Sequence, residues 1–439
     1  MVVSTLTSRP PAQRLLALAL RRCRDAEIAW EERVDLDLAA LDKPRRLGGW
    51  GLRVNYEGGL GFAWGDLQET PENLLEQAVE ASREQPGQGV LFSHGLPFSP
   101  ANQLLEPVDL GPVAEDLQRL VARIQFLLPS LLPNWNTRIR GGVRFQRMTL
   151  TTRSGEQTAH RTVVYLAVHA DEPAPIHASF IARRVPEHPG ELLCELAWRA
   201  AHSKPPKKGF EGLTGTRPAL FSPAATAALL RDLASDVLDA RNPGELEDLA
   251  QRITLTDDGQ QTDGPGSTPF DAEGQARRPV VLLGGGRVQH FLCDRLYARK
   301  LQQELQPLAV RDWGRPPRPG YSNLVLAPGD SSLPEMAREL KDGVLLDHLV
   351  PCDALRQPGE LCRLAQLAFK LKNGRPAERL APMLVRARYA SVLGSDLSQL
   401  SRETSWHGRC LTPALSCASV QLESAEGVQE SGEDPGTWW

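Results

Sequence analysis

The chain has 439 residues, of which 41% are hydrophobic and 24% charged, the profile of a folded polypeptide that favours two domains over one. Its formal net charge of −4 is spread along the length, with no basic arm or stripe to neutralise a phosphate backbone, so nucleic acid is not expected as a ligand. No stretch approaches the roughly 20 apolar residues of a membrane helix, so no membrane is expected as a partner either.

The N-terminus has a short apolar run, Leu15 to Leu20, behind Pro10-Pro11 and without a small-residue cleavage site. It reads as an amphipathic helix, not a signal peptide, and implies a cytoplasmic protein. Glu27 to Leu38 partly alternates apolar and polar residues, and Gly51 to Asp66 sets two β-prone runs around Gly58-Gly59, which predicts a strand and a hairpin. Pro71 opens a helix over PENLLEQAVEASRE, proline being suited to a first turn. Residues 86 to 112, rich in Pro, Gly and Ser, read as a long connection. From Pro112 to Leu128 the apolar positions keep a 3.6 period and predict a helix with one buried face. Arg140 to Leu150, Gln157 to Ala170 and Ile176 to Arg184 follow as antiparallel strands, and Gly190 to Ser203 as a helix.

Lys204-Pro205-Pro206-Lys207-Lys208-Gly209 marks a linker at 204–216 between an N-terminal α+β domain, 1–203, and a second domain, 217–420. The second begins with a strand ending in PALFS and the helix Pro223 to Ala240. Short β runs at Arg252–Thr256, Val280–Leu283, Val288–Cys293, Ser322–Leu326 and Val344–Leu349 then predict a mostly antiparallel, partly barrel-like body. The fold class is thus α+β without a regular βαβ repeat. Residues 421–439 carry five acidic residues and no Lys or Arg, and read as a disordered tail.

Few motifs carry chemistry by themselves. Gly284-Gly285-Gly286 follows an apolar run, but a strand-like segment and no helix comes after it, so a hairpin turn is expected and not a phosphate loop. Seven scattered cysteines without a Cys-x-x-Cys pair are expected to be reduced and mostly buried. None of the nine histidines stands in His-x-x-x-His or His-Glu-x-x-His spacing; His160, His169 and His177 lie in neighbouring predicted strands that can bring them together in space, but scattered surface residues explain them better. A Gly-x-Ser-x-Gly elbow is absent from the sequence.

The second half holds an ordered set of elements: Pro269-Phe270-Asp271-Ala272-Glu273-Gly274, then Val280 to Leu283, then Val288 to Asp294 with Tyr297-Ala298-Arg299-Lys300-Leu301, then Pro319 to Gly329 with Asn323-Leu324. Together they resemble the C-terminal half of the TldD/PmbA family, in which Asp271, Glu273, Gly274, Asn323 and Gly329 match motif positions. Gly49 to Val54 with Gly61-Phe62-Ala63 resembles the family's glycine-rich hairpin, and Gly359-Glu360-Leu361 and Lys372-Asn373-Gly374 its later turns. The resemblance covers most of residues 15 to 420.

Such families pair two kinds of member, and one kind carries His-Glu-x-x-x-His on the first helix of the second domain. Here that motif falls at Leu230 to Asp236, where Arg231 and Asp236 hold the histidine positions and Asp232 the glutamate position. Arginine has no lone pair for a metal, and two aspartates beside a cation make a surface salt-bridge cluster. No histidine anywhere in the chain is followed by glutamate. The resemblance therefore implies a non-catalytic partner, without a cofactor of its own, for a TldD-like zinc peptidase, or a homodimer, with zinc in the partner and an extended peptide as substrate. A stand-alone peptide-binding or scaffold protein is the alternative. A hydrolase built on Asp257, Asp258, Asp271 and Glu273 ranks below both, because those residues sit in turns.

Overall fold

The computed structural model describes residues 12–66, 68–92, 110–171, 176–202, 213–244, 246 and 248–431. Its first sheet is antiparallel and six-stranded: β1 (Asp25–Asp37), β2 (Arg45–Tyr56), β3 (Gly59–Asp66), β4 (Thr137–Thr152), β5 (Gly155–Ala170) and β6 (Ile176–Ala182), in the order β3-β2-β1-β4-β5-β6. Helices α1 (Ala12–Leu20), α2 (Pro71–Arg83), α3 (Leu110–Leu131) and α4 (Gly190–Ala201) pack against it. The connection read at 86–112 falls mostly outside the described residues, and α3 starts two residues before Pro112.

Helix α2 shows how local sequence fixes packing. The Thr70 hydroxyl accepts from the Asn73 amide, Pro71 fills the first turn, and Leu74, Leu75, Ala78 and Val79 form the buried stripe. The helix lies almost on the backbone of β3, since a Cβ at Gly59 would come 2.1 Å from the Ser82 carbonyl oxygen and one at Gly61 1.9 Å from that of Ala78. A side chain there must push the helix off. Gly61→Val should therefore lose about 1–3 kcal/mol of stability, the usual effect of overpacking; an unchanged urea midpoint would show that α2 can ride up without loss.

The second half begins with β7 (Gly215–Phe221) and α5 (Pro223–Asp236), followed by β8 (Leu255–Asp257), β9 (Val280–Gly284), β10 (Arg287–Val288) and α6 (Arg295–Lys300). Then come β11 (Ala309–Val310), β12 (Arg318–Pro319), β13 (Leu324–Leu326), α7 (Leu333–Leu340) and β14 (Gly343–Val350). The last strands are β15 (Glu360–Lys372), β16 (Arg375–Arg379), β17 (Met383–Arg388), β18 (Leu397–His407) and β19 (Cys410–Ser424). β7, β14, β15, β17 and β19 close into a five-stranded barrel, because β19 pairs with β7 as well as β17. Helix α5 is buried nearly all round, from Ala225 through Leu230 and at Leu233 and Ala234, which suits its alanine-rich sequence and puts it in the main core.

Three expectations need correction. Gln421 to Ser424 form the end of β19, with Val420 and Leu422 pointing into the core; the acidic composition hid this period-two alternation. Gln429 and Glu430 also bond, to Asp353 and Gln366, while 432–439 lie outside the described residues. The linker at 204–216 falls mainly outside them too, and its Gly215 and Thr216 already pair with Leu422 and Gln421. The run Val288–Cys293 leaves the sheet after Val288, since Leu292 turns away to bridge Asp239. The glycine turn before it is as expected: Gly285 and Gly286 both take positive φ, 58° and 78°, in a two-residue hairpin.

Candidate functional site

Ser222 caps α5 by accepting from the Ala225 amide, and its hydroxyl donates to the Asp347 carbonyl on β14. The helix is thus pinned to the barrel at its start, which places Arg231, Asp232 and Asp236 over the far strands. Asp232 is buried and held by both arms of the Arg363 guanidinium from β15, with Nε at 2.8 Å. Asp236 accepts from Arg356 at 2.7 Å and from the Tyr389 hydroxyl at 2.8 Å. Zinc does not fit here: both carboxylates are committed to guanidinium or phenol donors, and Arg231 adds another cation. The expected surface cluster is in fact largely interior, and its cations come from β15 and the loop before it. Among the described residues no group of three or more His, Cys, Asp or Glu is arranged to hold a metal ion.

The strand histidines are not scattered. His169 and His177 are cross-strand partners on β5 and β6 with rings 5.7 Å apart, and His177 meets His348 of β14 edge-on at 4.2 Å. His160 stands apart, beside Phe145. Pairing of β14 with β15 is irregular around Asp347 and His348, a device that re-aims side chains. Asp347 takes a 2.7 Å hydrogen bond from Arg199 of α4, which also pairs with Glu195 at 2.8 Å. Loss of solvent, then the charges of Arg199, Arg231 and Arg363, push His348 down to about 3.

The folded protein therefore keeps His348 neutral, whereas the unfolded chain protonates it below its ordinary 6.5. Stability from this residue is full above pH 6.5 and declines as pH falls toward about 3. Between pH 6.5 and 5 the stability difference between the natural chain and His348→Asn should move by about 1.5 kcal/mol in favour of the variant, as the unfolded-state imidazole goes from half to almost fully protonated. Denaturant melts at the two pH values measure it; a constant difference would mean that the ring protonates in the folded state.

The family-motif positions prove to be joinery. Asp271 accepts from the amides of Glu273, Gln275 and Ala309, and burial, against the attraction of Arg277, lifts its carboxyl to about 6. Gly274 supplies the positive φ, 78°, of that turn. Glu273 reaches across to Arg53 of β2 at 2.7 Å and accepts from the Arg295 amide. Asn323 accepts from Gly266 and donates to Asp258 and Ser267, and Gly329 lets the chain pass Leu400, whose carbonyl oxygen would lie 2.3 Å from a Cβ. Asp257 accepts from the amides of Ser322 and Asn323 and the Ser322 hydroxyl, while Asp258 caps the next turn through Gln260. Asp257, Asp271 and Glu273 are all buried, so their work is not solvation.

Between the first sheet and the loops of the second half lies a cavity of about 120 Å³. Arg147 and Arg161 enter it from β4 and β5, and Arg277, Arg311, Arg318 and Arg409 from the second half. Glu31, Glu32 and Asp312 are the carboxylates on its wall. Arg311 pairs with Glu27 of β1 at 2.9 Å and Arg318 with Asp312 at 2.8 Å. None of these arginines stands out in the sequence. The one available signal was cross-strand: Gln146 opposes Arg161 in register, so two polar residues share a position that an ordinary core would fill with apolar ones.

All seven cysteines are free, and five are buried; Cys194 is exposed and Cys352 partly so. No helix among the described residues is long and apolar enough to cross a membrane.

Comparison with known proteins gives three kinds of match. A family model described as the PmbA/TldA metallopeptidase C-terminal domain matches residues 214–424. A metalloprotease of Methanothermobacter thermautotrophicus is 31% identical over 165 residues, 36% of this chain and 36% of that protein, so the match spans about a third of the relative's length. TldE from Thermococcus kodakarensis superposes with a TM-score of 0.71 at 19% identity, over 94% of this chain and 99% of that one. A Thermotoga maritima protein described provisionally as a modulator of a DNA gyrase gives 0.74 at 18%, over 93% and 98%. At these identities the solved structures share the fold.

Proposed function

The chain belongs to the TldD/PmbA family of metallopeptidase-like proteins, and from that premise we propose that it is a zinc-less member acting as the non-catalytic partner of a zinc-bearing homologue. One observation carries the reading. At the helix positions where the resemblance puts the zinc ligands, Asp232 is locked by Arg363 and Asp236 by Arg356 and Tyr389, beside Arg231. The likeness to TldE over nearly the whole chain supports the same assignment. In this role the subunit completes a cavity that holds extended peptides, which main-chain hydrogen bonding can grip without sequence demands.

Metal content and assembly test it together. Demetallated chain, reloaded with zinc and desalted, should retain no stoichiometric zinc by elemental analysis, and it should co-purify with a homologue that bears the His-Glu-x-x-x-His motif. One tightly held zinc per chain, or failure to associate with any such homologue, would overturn the assignment.

A further inference from the structure

We propose that the arginine-walled cavity between the first sheet and the second half is a binding site for a carboxylate of the held peptide; this rests on the peptide-holding reading above. Three of its guanidinium groups, those of Arg147, Arg161 and Arg409, lack a carboxylate partner among the described residues. Arg161 donates to the neutral carbonyl of Gln146. Arg409 donates to the Tyr321 carbonyl at 3.0 Å and lies 4.7 Å over the Tyr321 ring. In addition, Nε of Arg147 and Nε of Arg277 are buried without a hydrogen-bond partner among the described residues. Unmade bonds to a buried cation are costly, and a ligand anion supplies them.

The composition of the wall says which anion. Six arginines face three carboxylates, and Arg311 and Arg318 already satisfy part of the acid. What remains is cationic but flanked by acid, an arrangement that suits a singly charged, planar group over a phosphate dianion. Guanidinium forks match a carboxylate in two parallel bonds. A volume of about 120 Å³ accommodates such a group with a few waters. The electrostatics agree with the geometry: burial and then the charges of Arg409, Arg183 and Arg277 press Arg161 down to about 9, and burial lifts Glu31 to about 7. An arriving anion would relieve the first.

The carboxylate can be the C-terminus of the peptide or an acidic side chain, and three N-terminally labelled unfolded peptides separate these: a free acid without Asp or Glu, its C-terminal amide, and the amide with one internal Glu. Fluorescence anisotropy with the full chain should show the free acid or the Glu-containing amide binding at least about tenfold more tightly than the plain amide, the effect of one charge-assisted pair. Preference for the free acid alone identifies the terminus, and preference for the Glu-containing amide identifies a side chain. Arg161→Gln and Arg409→Gln should each erase the preference. Should Arg161→Gln fail to fold, Arg409→Gln carries the test from the other half of the molecule. Equal binding of all three peptides, or a preference that survives in both variants, overturns the carboxylate site and leaves peptide holding intact; no binding of any peptide, by the chain alone or mixed with its zinc-bearing homologue, overturns both.

Discussion

Arg363→Met should cost the native state about 3–5 kcal/mol, because it leaves the buried Asp232 carboxylate without its countercharge. The same pair replaced together by apolar residues, Asp232→Leu with Arg363→Met, should come back to within a few kcal/mol of the natural chain, since desolvation of both ions then disappears. Urea unfolding of the three proteins measures the contrast. A loss below roughly 1 kcal/mol in the single variant, the size of an exposed pair, would show that water reaches Asp232 and that the motif helix is not locked.

Activity should divide between two chains. Alone, this protein should leave unfolded peptides uncut at the background rate; mixed with a zinc-bearing homologue it should support cleavage that a chelator abolishes. Amide hydrolysis needs an activated water or a nucleophile paired with a base. The buried carboxylates that could serve, Asp257 and Asp271, are instead occupied by backbone amides. Cleavage by the isolated chain that survives chelation would restore the carboxylate-hydrolase reading.

Much of the fold was legible where it depends on neighbours in sequence. The hairpin at Gly58-Gly59, the proline-started α2, the periodic face of α3 and the Gly285-Gly286 turn are all short-range matters of backbone freedom and apolar spacing. Pairing between distant segments was not legible. The bond from Arg53 to Glu273 spans 220 residues and that from Arg363 to Asp232 spans 131, and nothing local marks either end. For the same reason His348 looked unrelated to His169 and His177 until the barrel was brought against the sheet. The absence of a His-Glu motif needed no structure, whereas the burial of the aspartates standing in its place did. The arginine cavity was invisible because a net charge of −4 averages away a local excess of cations.

Closure of the barrel by β19 against β7 also sets a timetable. β7 ends at Phe221 and β19 begins at Cys410. At about 5–20 residues per second, a ribosome needs roughly ten to forty seconds to make the intervening chain. Throughout that interval the first barrel strand has an open edge and the alanine-rich helix after it lacks the strand against which it packs most extensively. Long-range closure of this kind is slow and exposes sticky surface. The nascent second half is therefore a natural client for a chaperone that shields strand edges.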